Sequence, residues 1–444
     1  MDQDIIVAIA TSRLEAAISI VRLSGPGVIE FVQTFFSGNI IDLPTRNMAY
    51  GYMLDGDKRI DEVLVSVFRG RHTFTGEDSI EINCHGGVYI TDQILRLCLK
   101  KGARLANRGE FTKRAFLNGR IDLSQAEAVS DMISAQNDQA TQLALKGIRG
   151  HISHFISDLK EDLIKIITQI EVNIDYPEYD DVEELTADTL LPMSQDLKNK
   201  MDRILEQSKN IHLIKDGIST VIVGKPNVGK SSLLNALLEE DKAIVTEIAG
   251  TTRDIVEGRV RIGSLVLNMI DTAGIHETDD KIEHIGVEKS LSLIKQADLV
   301  LLVLDGSKPL DDEDQRLLEE TQNTHRIILI NKKDLGNVLD VDGIEISAKH
   351  DEIEQLIDYI QNEFDLSALN SDNAQVLVNQ RQYQLLAHAA QSLDTAIEAM
   401  TMGIPVDLIV EDLNQSWLDL KEILGEQAKE DLLDELFKRF CVGK

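Results

Sequence analysis

One stretch of the sequence constrains the fold more than any other. Thr220-Val221-Ile222-Val223 reads as a buried strand and runs directly into Gly224-Lys225-Pro226-Asn227-Val228-Gly229-Lys230-Ser231. Helix-forming Ser232-Leu233-Leu234-Asn235-Ala236-Leu237-Leu238 follows at once. A glycine-rich loop between a strand and a helix N-terminus lets backbone N–H groups wrap phosphate oxygens. Lys230 then sets a point charge on the β- and γ-phosphates, and the Ser231 hydroxyl takes a Mg²⁺ position. The chain must therefore contain an α/β nucleotide-binding domain with a mostly parallel sheet.

Four further motifs follow in the order such a domain requires. They are Gly250-Thr251-Thr252-Arg253-Asp254, Asp271-Thr272-Ala273-Gly274, Asn331-Lys332-Lys333-Asp334 and Ser347-Ala348-Lys349. Together they specify a GTPase. Asp271 ends the apolar strand 265–270 and brings a carboxylate near the Mg²⁺, while the Gly274 N–H can meet the γ-phosphate. Asp334 follows strand 327–330, and its carboxylate can accept from two guanine N–H donors that adenine lacks. Where Ras-type enzymes carry a water-orienting glutamine, this chain has Ile275. An aliphatic side chain cannot hold a water, which leaves Glu277, Asp279, Asp280 and Glu283 as nearby acids, each equally readable as a solvated loop residue.

The 444 residues suggest about three domains. Residues 1–118 alternate β-like runs (5–9, 18–23, 63–68, 79–84) with helical stretches such as 88–99, the pattern of a compact α+β domain. Residues 119–215 read as helical: Ile156, Leu159, Leu163, Ile167, Ile170 and Ile174 share one face, before Pro177 and an acidic run interrupt. The GTPase domain occupies 216–370. Helical spacing returns over 371–444 through Leu385, Leu393, Ile397, Ile409, Leu413, Trp417, Leu420, Leu424, Leu433, Leu436 and Phe440. Each amphipathic flank needs a partner for its apolar face, so the economical arrangement is one helical domain built from both flanks around an inserted GTPase domain.

With 76 acidic and 45 basic residues the net charge is −31, which argues against a general nucleic-acid coat. Against that background Arg96 to Arg120 holds eight basic residues and one acid, Glu110. An anionic ligand could dock there; equally, the segment could be a solvated face balanced by acids from elsewhere. Three cysteines without a CxxC pair suit a reducing compartment, an acidic start lacks a signal peptide's basic region, and no run approaches ~18 apolar residues. A cytoplasmic protein without membrane association is expected. Cys84-His85 is a weak metal signal, better read as a strand-end core residue. Cys441, near Lys444, is a secondary candidate nucleophile, since a neighbouring cation lowers a thiol pKa.

The whole sequence resembles the MnmE (TrmE) family of tRNA modification GTPases. The resemblance rests on Phe74-Thr75-Gly76-Glu77-Asp78, Gly86-Gly87, Gly109-Glu110-Phe111-Thr112, Arg114-Ala115-Phe116-Leu117-Asn118-Gly119, the GTPase motifs and the terminal Cys441-Val442-Gly443-Lys444. It implies an α/β and α+β multidomain fold: an N-terminal α+β folate-binding and dimerisation domain, a discontinuous helical domain and an inserted Ras-like P-loop GTPase domain. It also implies a homodimer that joins the FAD-dependent flavoprotein MnmG in a heterotetramer. That assembly installs an aminomethyl or carboxymethylaminomethyl group at C5 of the wobble uridine, position 34, of certain tRNAs. The carbon comes from a tetrahydrofolate derivative, 5-formyl or 5,10-methylene.

By the same resemblance, GTP contacts fall on Asn227, Val228, Gly229, Lys230, Ser231 and Ser232, and on Thr246, Glu247, Ile248, Ala249, Gly250, Thr251 and Thr252. Asp271, Thr272, Ala273, Gly274, Asn331, Lys332, Asp334, Ser347, Ala348 and Lys349 complete them. Mg²⁺ sits on Ser231 and Thr252, and K⁺ on Asn227, Thr246, Ile248 and Thr251. Catalysis uses Lys230, Asp271 and Glu283, the last orienting the attacking water, and folate contacts fall on Arg22, Glu81, Arg120 and Lys444. Where the family has a glycine-rich turn before Arg22, this chain reads Leu14-Glu15-Ala16-Ala17-Ile18-Ser19, so a rebuilt loop is expected there. A different class of function fits the GTPase motifs alone: a regulatory GTPase of ribosome or RNA assembly.

Overall fold

The computed structural model describes residues 4–175, 187–209, 211–215, 217–239, 256–263, 265–270, 293–294, 297–364, 375–438, 440 and 443. The chain divides into two compact units. One comprises Met1–Ile133, Leu145–Arg203 and Arg381–Lys444, the other Ser134–Ala144 and Ile204–Gln380. The second unit thus reaches beyond 216–370 on both sides.

The first unit opens with β1 (Ile6–Ile9), β2 (Ile18–Ser24), α1 (Val28–Gln33), β3 (Asn47–Asp55), β4 (Lys58–Phe68), β5 (Ser79–His85), α2 (Val88–Lys101), β6 (Arg104–Leu105) and α3 (Glu110–Leu117). Its sheet runs β3-β4-β5-β2-β1-β6, antiparallel except where β6 joins β1. Strand β3 falls where sequence periodicity gave no strand. Its cue was the turn Asp55-Gly56-Asp57, in which Gly56 adopts φ 62° and closes the hairpin to β4. Val7, Val21, Leu23, Ile80 and Ile82 project to one face, where α1 and α2 bury them. Ile6, Ala8 and Phe111 pack together in a separate small cluster of the same unit.

Helices follow: α4 (Leu123–Ser134), α5 (Asp138–Ile148), α6 (His151–Asp175), α7 (Ala187–Ser208) and α8 (Ile211–Lys215). In α6 the stripe Ile156, Leu159, Leu163, Ile167 and Ile170 is buried, as its spacing requires.

The second sheet is built from β7 (Ile218–Val223), β8 (Val256–Ile262), β9 (Leu265–Ile270), β10 (Leu299–Asp305), β11 (Arg326–Asn331) and β12 (Ile344–Glu345). Between them lie α9 (Lys230–Glu239) and α10 (Asp312–Glu320), and α11 (Glu354–Glu363) follows β12. The order is β12-β11-β10-β7-β9-β8, all neighbours parallel except β8. Strands β7 and β10 are almost continuously buried because helices cover both faces of a parallel sheet. Strand order reverses at β7, which places the ligand crevice beyond its carboxyl end.

The chain closes with α12 (Gln380–Thr401), α13 (Val406–Leu424) and α14 (Glu430–Phe437). In α12 the buried face runs through Leu386, Ala389, Leu393, Ala396 and Met400, which leaves Leu385 and Ile397 at its edge. Helix α13 packs along α6, so helices from before and after the second sheet share one core in the first unit. Among the described residues no helix is long and apolar enough to cross a membrane.

Candidate functional site

The loop between β7 and α9 is held by three features of its own sequence. Val228 is buried in the core of the second unit. Asn227 takes a left-handed conformation at φ 61°, one of four non-glycine residues with positive φ among those described. Gly229 has φ 106°, and a Cβ there would lie 2.1 Å from Asn331 Nδ2, so only glycine fits. Lys230 donates to the carbonyls of Gly224 and Lys225, each at 2.7 Å. Burial lowers the pKa of its ammonium from the ordinary lysine value. Ser231 lies in the first turn of α9, and Ser232 follows it in the same turn.

Asn331, at the carboxyl end of β11 and only 3% exposed, ties the site together. Its Nδ2 donates to the Val228 carbonyl at 2.8 Å, and its Oδ1 accepts from the Ala348 N–H at 3.0 Å. The P-loop, the Asn331–Asp334 motif and the Ser347-Ala348-Lys349 loop are thereby brought to one edge of the sheet. Lys332, at φ 66°, sends its ammonium to Asp305 Oδ2 at 2.7 Å, at the end of β10. Asp334 accepts from Ser347 Oγ at 2.8 Å, and that bond holds its carboxyl below the usual range. His350 Nε2 stands 3.8 Å from the other Asp334 oxygen. Ser347 and Ala348 are buried, while Lys349 is exposed. Thr246 to Thr252, Asp271 to Gly274, Ile275 and Glu283 lie outside the described residues.

A second constellation occupies the first sheet. In the β2–β5 register Arg22 faces Glu81 directly, a cross-strand pair. Arg22 donates from Nε and Nη2 to Glu81 Oε1 at 2.9 and 2.8 Å, and from Nη1 to the Gly443 carbonyl at 3.0 Å. Its guanidinium also lies 5.7 Å from the Phe74 ring centroid and 5.9 Å from that of Phe111. The penultimate residue of the chain is thus seated on the N-terminal sheet, where a Cβ on Gly443 would come 2.6 Å from the Ile9 carbonyl. Cys441 and Lys444 lie outside the described residues. Arg120 lines a cleft of about 410 Å³ with Phe116, Asp122, Gln125 and Glu426, and neither Arg22 nor Glu81 lines that cleft. The Leu14–Ser19 loop closes on Gly86, with Ala16 N–H donating to the Gly86 carbonyl and Gly86 N–H to that of Ala17.

With both constellations in place, comparison with known proteins is decisive. Residues 5–120 match the family described as GTP-binding protein TrmE N-terminus, and residues 123–441 match the MnmE helical domain. The chain is 46% identical over 448 residues to the tRNA modification GTPase MnmE of Lactococcus lactis subsp. cremoris, covering 99% of this chain and 98% of that one. The Staphylococcus aureus protein of the same name is 44% identical over 459 residues, covering both chains completely. The chain belongs to the MnmE family of tRNA modification GTPases. Among solved structures, a point variant of Aquifex aeolicus Era bound to GDP and AlF₄⁻ is 26% identical over 39% of this chain and 66% of that one, at a TM-score of 0.26.

Within this MnmE-family chain four of the eight basic residues of Arg96 to Arg120 are paired with acids, most of them from elsewhere in the sequence. Lys100 pairs with Asp55, Arg104 with Asp4 and Glu110, Lys113 with Asp434, and Arg114 with Asp4, Glu77 and Glu110. Arg96, Lys101, Arg108 and Arg120 pair with no described acid. Cys84 is buried, donates to the Ser19 carbonyl at 3.3 Å, and burial pushes its thiol pKa up. His85 is paired with Asp61, and among the described residues no cluster could hold a metal ion. Sequence reasoning passed over Asp305, which takes the Lys332 ammonium, and Lys225, whose ammonium reaches Asp311 and Asp314. Their cues were a carboxylate ending β10 and a lysine inside the P-loop.

Proposed function

We propose that this chain is a potassium-dependent GTPase that works with a FAD-dependent MnmG partner on the wobble uridine, position 34, of certain tRNAs. It adds an aminomethyl or carboxymethylaminomethyl group at C5, as a homodimer within a heterotetramer, in the cytoplasm. The observation that carries the nucleotide half is the pair of hydrogen bonds from the Asn331 amide, one to the P-loop and one from the Ser347–Lys349 loop. It fixes the distance between a phosphate cradle and a base-reading carboxylate, Asp334. GTP is preferred because Asp334 accepts from guanine N–H donors, and adenine would leave that carboxylate unpaired.

The residues suit the cofactors the family implies. Ser231 offers a hydroxyl to Mg²⁺ at the start of α9, together with Thr252, as a hard cation requires. Asn227 holds an exposed amide at the loop's left-handed position, and with Thr246, Ile248 and Thr251 it would complete an oxygen cage for K⁺. When bound, the two cations supply positive charge where charge develops in phosphoryl transfer. Glu283 orients the attacking water in place of Ile275. In the first unit, the Arg22–Glu81 pair, with the guanidinium near the Phe74 and Phe111 rings, suits a polar heterocycle such as a 5-formyl- or 5,10-methylene-tetrahydrofolate, with Arg120 and Lys444 for its charged tail and Cys441 as a secondary nucleophile. The test of the hydrolytic half is GTP turnover in potassium against sodium at fixed ionic strength, repeated for Glu283→Ala. Turnover is expected to need potassium, and Glu283→Ala to lower kcat about a hundredfold with GTP binding retained. Indifference to the cation, or full kcat in the variant, would refute it.

A further inference from the structure

The P-loop contains a second lysine, Lys225, which points away from the cradle toward α10. That helix begins with four consecutive acids, Asp311, Asp312, Glu313 and Asp314, the first of which is its N-cap. Asp311 accepts from the N–H groups of Glu313 and Asp314, and Asp314 Oδ2 accepts from the Asp311 N–H at 3.2 Å, a complete capping box. Such a box normally faces solvent. Here Lys225 Nζ lies 2.5 Å from Asp311 Oδ2 and 2.7 Å from Asp314 Oδ2. The Asp314 side chain is 6% exposed, and its Oδ1 is buried with no hydrogen-bond partner among the described residues. The backbone carbonyl of the same Lys225 accepts from Lys230 Nζ at 2.7 Å. One residue therefore links the phosphate-facing ammonium to the acidic helix start.

We propose that Lys225 is a positioning residue for nucleotide binding: it cancels the negative charge that the α10 capping box would otherwise set beside the phosphate cradle. Acids stabilise α10 because they meet the positive end of its dipole. The same acids repel a triphosphate in the cradle, to which Lys225 connects them through its carbonyl bond from Lys230. The cluster is felt at the cradle: burial lowers the Lys230 pKa, and the Glu313 charge acts in the opposite direction. Burial also opposes the charge on Lys225, yet the Asp311 and Asp314 carboxylates outweigh it and keep this ammonium protonated. A lysine on the loop itself thus lets an acidic helix cap coexist with an anion site. The proposal rests on the reading that this P-loop takes the phosphates of the nucleotide.

The experiment measures fluorescent GDP and GTP analogue affinities on the full chain, with potassium and magnesium held fixed and ionic strength raised with choline chloride. Lys225→Met is expected to weaken binding about tenfold at low ionic strength, with a smaller effect on kcat at saturation. The deficit should shrink severalfold at about 0.5 M choline chloride, where the Debye length is only a few ångströms. Lys225→Arg should restore affinity. So should Asp311→Asn with Asp314→Asn in the Lys225→Met background, because Asn caps a helix about as well as Asp without the charge. Unchanged affinity in Lys225→Met overturns the proposal. A deficit that persists in high salt and in the triple variant also overturns it, and reduces Lys225 to a fastening of the loop. Lys230→Ala separates the two readings: if it binds nucleotide like the parent chain, the cradle assignment itself fails, whereas lost binding there beside an unaffected Lys225→Met condemns only the charge shield.

Discussion

In the second unit the candidate site is held mainly by backbone: the amide of Asn331, at the end of β11, fastens the loops that leave β7 and β12 through their main-chain groups. In the first unit the site is held by side chains on a sheet face, where Arg22 meets Glu81 across a strand pair and the chain's penultimate carbonyl from 421 positions away. The backbone-built site demands particular φ values, as at Asn227 and Gly229, and so leaves a contiguous signature. The side-chain-built site demands only that strands be in register, and its members are scattered along the sequence. The first construction presents backbone N–H groups; the second presents one guanidinium and one carboxylate side by side.

Three substitutions sharpen the contrast. Asp334→Asn reverses one acceptor of the base-reading group, and preference should move from guanine toward xanthine nucleotides on the order of a thousandfold, measured as a ratio of kcat/KM values. An unchanged ratio would remove Asp334 from the second site. Arg114→Met leaves the acids Asp4, Glu77 and Glu110 facing one another around a nearly buried position. Denaturant unfolding should lose about 2 kcal/mol, because Glu77 loses its ion pair while Arg104 alone is left to balance Asp4 and Glu110. The smallest effect is on acid stability. Bonds from Arg104 hold Asp4 below its ordinary 3.8; for Glu110, burial raises the value but the Arg104 bond outweighs it, so it too stays below 4.5. Depressed folded values stabilise above the unfolded pKa and lose that contribution as pH falls through the folded one. Stability should therefore be level above about pH 5 and fall below about pH 4, less steeply in Arg104→Gln. An equal slope in that variant would show the network contributes nothing to the first unit.

Much of the second unit's candidate site was legible, whereas Arg22 and Glu81 were reached only through the family resemblance. The P-loop and the motifs at Asn331 and Ser347 announce themselves because their chemistry requires neighbours in sequence. The stripe Ile156 to Ile170 announced α6 because apolar residues at that spacing line up on one side of the chain only when it is helical. Three things were not legible. Strand β3 alternates weakly, with Met48 and Tyr50 exposed, so its hydrophobic pattern is broken and only its turn marks it. The basic segment could be read either as an anion site or as a balanced face, because the acids that pair half of it, Asp4, Asp55, Glu77 and Asp434, come from distant positions. Lys225 looked like an ordinary loop residue because its partners lie 86 and 89 positions away.

Mass analysis of wobble nucleosides, after reaction of tRNA with the full chain, the flavoprotein partner, a one-carbon folate and GTP, reads both candidate sites at once. The account predicts modified uridine with the parent chain and loss of more than about a hundredfold with either Arg22→Gln or Lys230→Ala. It also predicts that GTP turnover is abolished by Lys230→Ala and persists in Arg22→Gln, because the two sites are built on separate sheets. Modification at the parent rate in Arg22→Gln, or in Lys230→Ala, would contradict it.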